Sequence, residues 1–283
     1  MEVVDAHLHV FVRRSERYPR DVHELYPAAL EAPVERLLKV MDAAGVDKAV
    51  LVPLSPHDQY LRECLRRFPG RFVGIGVHDP RATDPVANLH RRVEQIGIQG
   101  VRVHHLGNPG TPSEELEAFP LLAALANGGL KLWFYAPPEQ LGLLPGILEA
   151  LPSLQVVLNH LGFCPRGYGV DEYGRPHIPT DLPPPTLPAV LGLARFANVH
   201  VMVSGQYAFS REPYPHRDLE PVVRAVYRAY GADRLLWASD FPWILEEPGY
   251  LAQLALVDEF LPDISPSERA AILGGTALKL LTF

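Results

Sequence analysis

The chain has 283 residues, 47% hydrophobic and 21% charged, enough to build a sizeable core and within the length at which an α/β barrel stays one domain. Its net charge of −7 argues against a basic nucleic-acid-binding surface, and no apolar run reaches the roughly 18 residues that a membrane span needs. The start, MEVVDAHLHV, has neither the basic beginning nor the apolar stretch of a signal peptide, and Cys64 and Cys164 make no disulfide framework or CxxC motif, so a cytoplasmic protein is expected.

Along the chain, short apolar runs alternate with stretches of helical period. Strands are predicted at 3–9, 48–54, 71–77, 99–105, 130–135, 154–160, 198–204 and 234–240. Between them lie APVERLLKVMDAAG, DPVANLHRRVEQIG, LLAALANGG and RDLEPVVRAVYRAYG, where apolar positions recur every three or four residues and several patterns end at a glycine. Asp84 before Pro85 and Ser265 before Pro266 have the form of an N-cap followed by proline. Near-continuously apolar strands separated by helices predict a parallel sheet covered by helices, and eight such units predict a closed (β/α)8 TIM barrel. A doubly wound open sheet would favour fewer strands and a glycine-rich first turn, which this sequence lacks. Residues 1–283 therefore read as one barrel domain. The Pro-, Gly- and aromatic-rich segment 161–187, after the sixth predicted strand, is too long for an ordinary connection and is expected to be a lid over the barrel mouth.

In such a barrel the reacting groups stand at the C-terminal ends of the strands. His7 and His9 end the first strand, and being two residues apart they face the same side. Closure makes the first and eighth strands neighbours and brings Asp240 beside them. Two imidazole nitrogens and a carboxylate are a donor set for one divalent ion. His160 faces the same cavity from strand six, as a further ligand, a carbonyl polariser or a proton carrier. His78 and Asp79 follow strand three. On strand four Val101, Val103 and His105 share one face, whose apolar pair suits the helices, which turns Arg102 and His104 inward. A buried Arg102 needs an anionic partner, either a substrate carboxylate or an acid such as Asp5 or Asp79. Trp133 and Trp237 read as core and Trp243 as a pocket wall, while Arg166, Tyr168, Arg175 and His177 of the expected lid could reach a ligand, though each by itself reads as a solvated side chain. Ser204 and Ser239 lack a GxSxG elbow, which disfavours a serine nucleophile.

Together VVDAHLHVF, GIGVHDP, QGVRVHH, VVLNHLGFCP, NVHVMVSGQY and LLWASDFPW resemble the amidohydrolase superfamily, and within it the amidohydrolase-2 branch. That branch holds sugar-acid and 2-pyrone-4,6-dicarboxylate lactonases beside metal-dependent decarboxylases. The likeness is specific at His7, His9, His160 and Asp240, and GVR, HLG and SG look most like the lactonase subgroup. It implies a hydrolase opening a lactone or ester of a small sugar acid or carboxylate. In it Asp240 is the general base, and the histidines, helped by Tyr135, hydrogen-bond the oxyanion. Arg102, His104, Arg166 and Trp243 join Tyr135 in holding the substrate.

The sequence departs from that pattern in two places. Metal-dependent members end strand five in a histidine where this chain has Tyr135, and a phenol with a pKa near 10 is a poor ligand. The lysine that bridges two ions in other branches is absent from strand four. The resemblance thus implies either a metal-free lactonase or one zinc or manganese ion on His7, His9 and Asp240, with His160 or His104 as an additional ligand. The rival on the same site is a metal-dependent decarboxylase or amidohydrolase. A non-catalytic barrel is disfavoured, because a carboxylate beside several histidines is costly to bury without use. The partner expected is a small molecule, neither nucleic acid nor membrane, with the oligomeric state open.

Overall fold

The computed structural model describes residues 2–283, in which strands and helices alternate. The first half runs β1 (Val4–Leu8), α1 (Val34–Ala44), β2 (Lys48–Leu51), α2 (Gln59–Arg67), β3 (Phe72–Gly74), β4 (Gly76–Val77), α3 (Pro85–Ile96), β5 (Gly100–Val103) and α4 (Phe119–Asn127). Then follow β6 (Lys131–Phe134), α5 (Pro138–Leu141), α6 (Leu144–Ala150), β7 (Gln155–Leu158), β8 (Gly169–Val170), β9 (Pro176–His177), α7 (Leu187–Gly192), β10 (Val199–Val203) and α8 (Gln206–Phe209). The chain finishes with α9 (Glu220–Tyr230), β11 (Leu235–Trp237), α10 (Tyr250–Phe260), α11 (Pro266–Ala270) and α12 (Thr276–Leu280).

Each predicted strand is present: β1, β2, β3 with β4, β5, β6, β7, β10 and β11. Their pairings are parallel, in one sheet of order β1-β2-β3 and a six-stranded sheet of order β11-β10-β7-β6-β5-β4. Ile75 alone separates β3 from β4, and its N–H donates to the Leu51 carbonyl at 3.0 Å. At the other seam the Asp240 N–H donates to the His7 carbonyl at 3.1 Å and the His9 N–H to that of Phe241 at 2.7 Å. Helix boundaries follow local chemistry. Asp84 accepts from the Ala87 N–H to start α3, Ser265 and Glu268 close a capping box on α11, and α1 and α3 stop at left-handed Gly45 and Gly97. Segment 161–187 contains the antiparallel pair β8–β9, an element its irregular composition does not announce.

The two strand faces carry separate apolar clusters. Val101, Val103, Leu132, Phe134, Val199 and Val201 pack with the helices. Val50, Val73, Trp133, Val157, Met202 and Leu236 form a second cluster, which Ala277 and Leu281 join from α12 and the residue after it. Trp133 and Trp237 are both buried, as expected of core residues.

Strand β1 departs from simple alternation. Asp5 pairs with Ala49 and Leu8 with Leu51, so β1 spends one residue more than β2 over the same span, which is a β-bulge. Val4 and Ala6 belong to the second cluster, while Asp5 turns the other way to accept from the Ser239 N–H at 2.9 Å and the Tyr250 hydroxyl at 2.7 Å. The extra residue then brings His7 and His9, rather than Leu8, to the side that Ala6 faces.

Candidate active site

The bulged end of β1 supplies His7 and His9, the end of β7 supplies Asn159 and His160, and the turn after β11 supplies Asp240. Asp240 has a φ of 61° and His160 a φ of 47°, a region that residues other than glycine rarely occupy and that costs about 1–3 kcal/mol each. Both side chains converge on one cluster. Asp240 Oδ1 lies 3.5 Å from His9 Nε2 and 3.8 Å from His7 Nε2, and Oδ2 lies 4.0 Å from His160 Nε2. The Tyr207 hydroxyl donates to Oδ2 at 2.6 Å, leaving Oδ1 without a hydrogen-bond partner among the described residues.

Burial governs the charge states of this cluster. It holds the His7 imidazole well below its usual pKa, takes His9 to about 4 and His160 to about 3, and raises the Asp240 carboxyl. The three imidazoles are therefore neutral near pH 7, and their contacts with Asp240 are polar rather than ionic. His9 Nδ1 donates to the Val52 carbonyl at 2.8 Å, so the neutral ring keeps a bare Nε2 toward Asp240. His160 Nδ1 lies 2.9 Å from the Ser204 hydroxyl, and His7 Nδ1 lies 3.5 Å from the side-chain amide of Asn159. His7 Nε2 has no partner among the described residues. His7, His9 and Asp240 each offer a ligand atom, all within 4.8 Å of one another, and so form a group able to hold a metal ion.

Above the cluster lies a cavity of about 290 Å³. Arg102, His104, Tyr135 and Trp243 line it, as expected from sequence. Arg102 is buried with its guanidinium carbon 4.6 Å from the centroid of the Tyr135 ring. It makes no hydrogen bond or ion pair among the described residues, and its Nε is a buried donor without a partner. Neither acid weighed as its partner serves. Asp5 faces Tyr250 on the other side of β1, and Asp79 pairs with Arg81 at 3.0 Å. His104 stands exposed at the mouth with Nδ1 2.8 Å from the Tyr135 carbonyl, and His105 is exposed outside it.

Arg166 is a correction. Its side chain is 74% exposed, pairs with Glu139 at 3.3 Å and lines a neighbouring cavity instead, because the exposed loop offers it an acid outside the mouth. Of the other residues of 161–187, Tyr168 does line the cavity, while Arg175 is held by Asp171 at 2.7 Å and Glu247 at 2.9 Å. Its guanidinium lies 5.2 Å from the ring centroid of Tyr207, and the Ile178 N–H donates to the Ala208 carbonyl at 2.8 Å, tying this segment to α8. Cys164 is buried with its thiol pushed up to about 12, unsuited to nucleophilic work.

Among the lining residues that the sequence reading did not single out are Tyr207, Leu25 and Tyr26. Tyr207 sits in the SGQY stretch just past β10, where its place three residues beyond Ser204 was the available signal. Leu25 and Tyr26 come from the long connection between β1 and α1, which has no periodicity to place it.

A parallel α/β sheet whose C-terminal strand ends gather imidazoles and a carboxylate beneath a cavity is a frame for an enzyme active site, with a group able to hold a metal ion. The family model described as Amidohydrolase matches residues 4–283: the chain belongs to that family and is a hydrolase. It is 28% identical over 293 residues to the L-fucono-1,5-lactonase of Burkholderia ambifaria, covering 97% of this chain and 93% of that protein. It is 24% identical to the 4-sulfomuconolactone hydrolase of Hydrogenophaga intermedia, covering 93% and 82% respectively. Among solved structures, a candidate 2-pyrone-4,6-dicarboxylic acid hydrolase from Pseudomonas putida superposes with a TM-score of 0.72 at 25% identity, over 99% of this chain and 97% of the other. No helix among the described residues is long and apolar enough to cross a membrane.

Proposed function

We propose that this hydrolase opens a lactone or ester of a small sugar acid or carboxylate. The observation that carries the reading is the Asp240 carboxylate, anchored through Oδ2 by Tyr207 with Oδ1 free among neutral imidazoles. Burial makes that carboxylate a stronger base than an exposed one. The lactone-opening relatives, matched over 93% and 82% of their lengths, support the reaction class. We read the strands as a closed (β/α)8 barrel forming one domain over 1–283, supported by the hydrogen bonds at both seams, and 161–187 as its lid, supported by Tyr168 in the cavity wall.

In this mechanism a water beside Asp240 Oδ1 gives up a proton to it while the water oxygen attacks the lactone carbonyl carbon. Collapse of the tetrahedral species breaks the ring C–O bond, and Asp240 returns the proton to the departing oxygen. With the Ser204 hydroxyl donating to Nδ1, His160 carries its hydrogen on Nε2 and donates to the oxyanion, together with the Tyr135 hydroxyl. This narrows the expectation that His7 and His9 also donate, since the bare Nε2 of His9 accepts only. Turning the Asn159 amide brings its unpartnered Oδ1 to the Nδ1–H of His7 and leaves His7 Nε2 bare as well. Arg102 and His104 hold substrate polar groups, and Trp243 walls the ring.

The unpartnered His7 Nε2 and Asp240 Oδ1, with His9 Nε2, fit one divalent ion of the zinc or manganese kind, and His160 would join as a fourth donor only in the other tautomer, with Nδ1–H donating to the Ser204 hydroxyl and Nε2 bare. Such an ion, when bound, supplies Lewis acidity and lowers the pKa of its water. Tyr135 adds no ligand, because burial pushes its phenol above the usual range.

Asp240→Asn is expected to lower turnover of a responsive lactone by about 10²- to 10⁴-fold with an unchanged circular dichroism spectrum and Tm. Near-normal turnover would remove Asp240 as base. Metal analysis, with activity measured before and after chelator, separates the ion-dependent from the metal-free form. Carbon dioxide release from an unsaturated or aromatic acid, without lactone opening, would replace the reading by the decarboxylase one.

A further inference from the structure

We infer that the substrate carries one carboxylate, bound by Arg102, and no second anionic group. A buried guanidinium with no anion or hydrogen-bond acceptor of its own is costly unless something that enters the cavity completes it. Arg102 lies against the Tyr135 face and lines the cavity directly, so a carboxylate is the group that answers its charge and forked donors.

The count of cationic side chains sets the limit at one. Arg102 is the sole Arg or Lys lining the cavity among the described residues. The nearby arginines are already committed. Arg20 donates to the carbonyls of Val12, Tyr26, Pro27 and Leu30, Arg175 is clamped by Asp171 and Glu247, and Arg166 faces Glu139 outside. His9 and His160 are neutral, and His104 stands at the mouth where solvent already serves a charged group. For a second carboxylate the rest of the lining offers only neutral groups, the donors of Tyr26, His104, Tyr135, Tyr168 and Trp243 and the apolar Leu25, Leu54, Ile178 and Phe209, and no further positive charge. Asp240, when it holds no ion, adds a repulsive charge below. A neutral sugar-type lactone, in turn, leaves the guanidinium unanswered.

The inference rests on the lactonase reading only for the choice of lactones, so its test has a binding arm and a turnover arm. In the first, benzoate, isophthalate and benzamide present one ring with one, two and no charges, titrated by calorimetry into wild type and Arg102→Met. Benzoate is expected to bind, with isophthalate and benzamide weaker by about tenfold or more, and the benzoate affinity to fall by about 100-fold in Arg102→Met. The ligand-free variant is expected to keep or raise its Tm, since it loses a buried unpaired charge. Isophthalate binding as tightly as benzoate, or benzoate binding unchanged in the variant, would overturn the inference. In the second arm, 2-pyrones bearing none, one or two carboxylates are compared by kcat/KM, with the monocarboxylate expected to lead. Preference for the dicarboxylate overturns the one-charge limit and leaves the lactonase standing. Selective benzoate binding with no lactone opened overturns the lactonase and leaves the one-charge limit standing.

Discussion

His200, near the start of β10, shows what single buried imidazoles cost this protein. Burial takes its pKa down to about 4, and its Nδ1 has no hydrogen-bond partner among the described residues. The unfolded chain protonates this histidine below its ordinary value of 6.5, whereas the folded chain does so only near 4. Its contribution to stability is therefore lost as pH falls through that window, by up to about 3 kcal/mol. His200→Gln is expected to flatten the fall in Tm between pH 6.5 and 4, and a slope equal to the parent's would contradict the assignment. At this scale the sequence was informative wherever a polar residue ends an apolar run, as at His7, His9, His160 and Asp240. It set Arg166 at the substrate, whereas the structure pairs it with Glu139, because the acid that claims an exposed loop arginine depends on how the loop lies. Tyr207 and Tyr26 were hidden for the same reason, their positions being set by connections rather than by a repeat.

The turn from β10 into α8 couples backbone form to the site. Gly205 has a φ of +76°, and a Cβ there would stand 2.9 Å from His160 Nδ1. Gly205→Ala is expected to cost about 1–3 kcal/mol of stability and to push the imidazole away from the cavity, lowering kcat more than KM rises. Thermal melts and steady-state kinetics check both halves, and a variant with normal kcat would show that His160 has room to yield. The strands themselves were legible as apolar runs, since burial on both faces leaves little else for them to be. Each came out shorter than its run, because the rim residues that the run includes leave the ladder to serve the cavity. The pair β8–β9 escaped notice because two-residue strands carry no period.

Over the whole molecule, the seam between β11 and β1 leans on one acid. Asp5 accepts from Ser239 and Tyr250, so Asp5→Leu strands a buried N–H and a buried hydroxyl and is expected to cost about 3 kcal/mol. Denaturant titration reads that loss, and a variant within about 0.5 kcal/mol of the parent would mean the seam is held elsewhere. The α/β class with parallel strands was readable at this scale because apolar strands and helical stretches alternate along the chain, whereas the bulge in β1 was not, since alternation alone assigns Asp5, His7 and His9 to one face. The inserted residue gives that strand two phases, one for its structural half and one for its working half. A protein engineer who grafts the HxH pair onto a regular strand without the odd residue inherits a choice: histidines in the mouth with Asp5 torn from its anchors, or an anchored Asp5 with histidines turned into the packing. The transplantable unit is therefore the dislocation together with the pair.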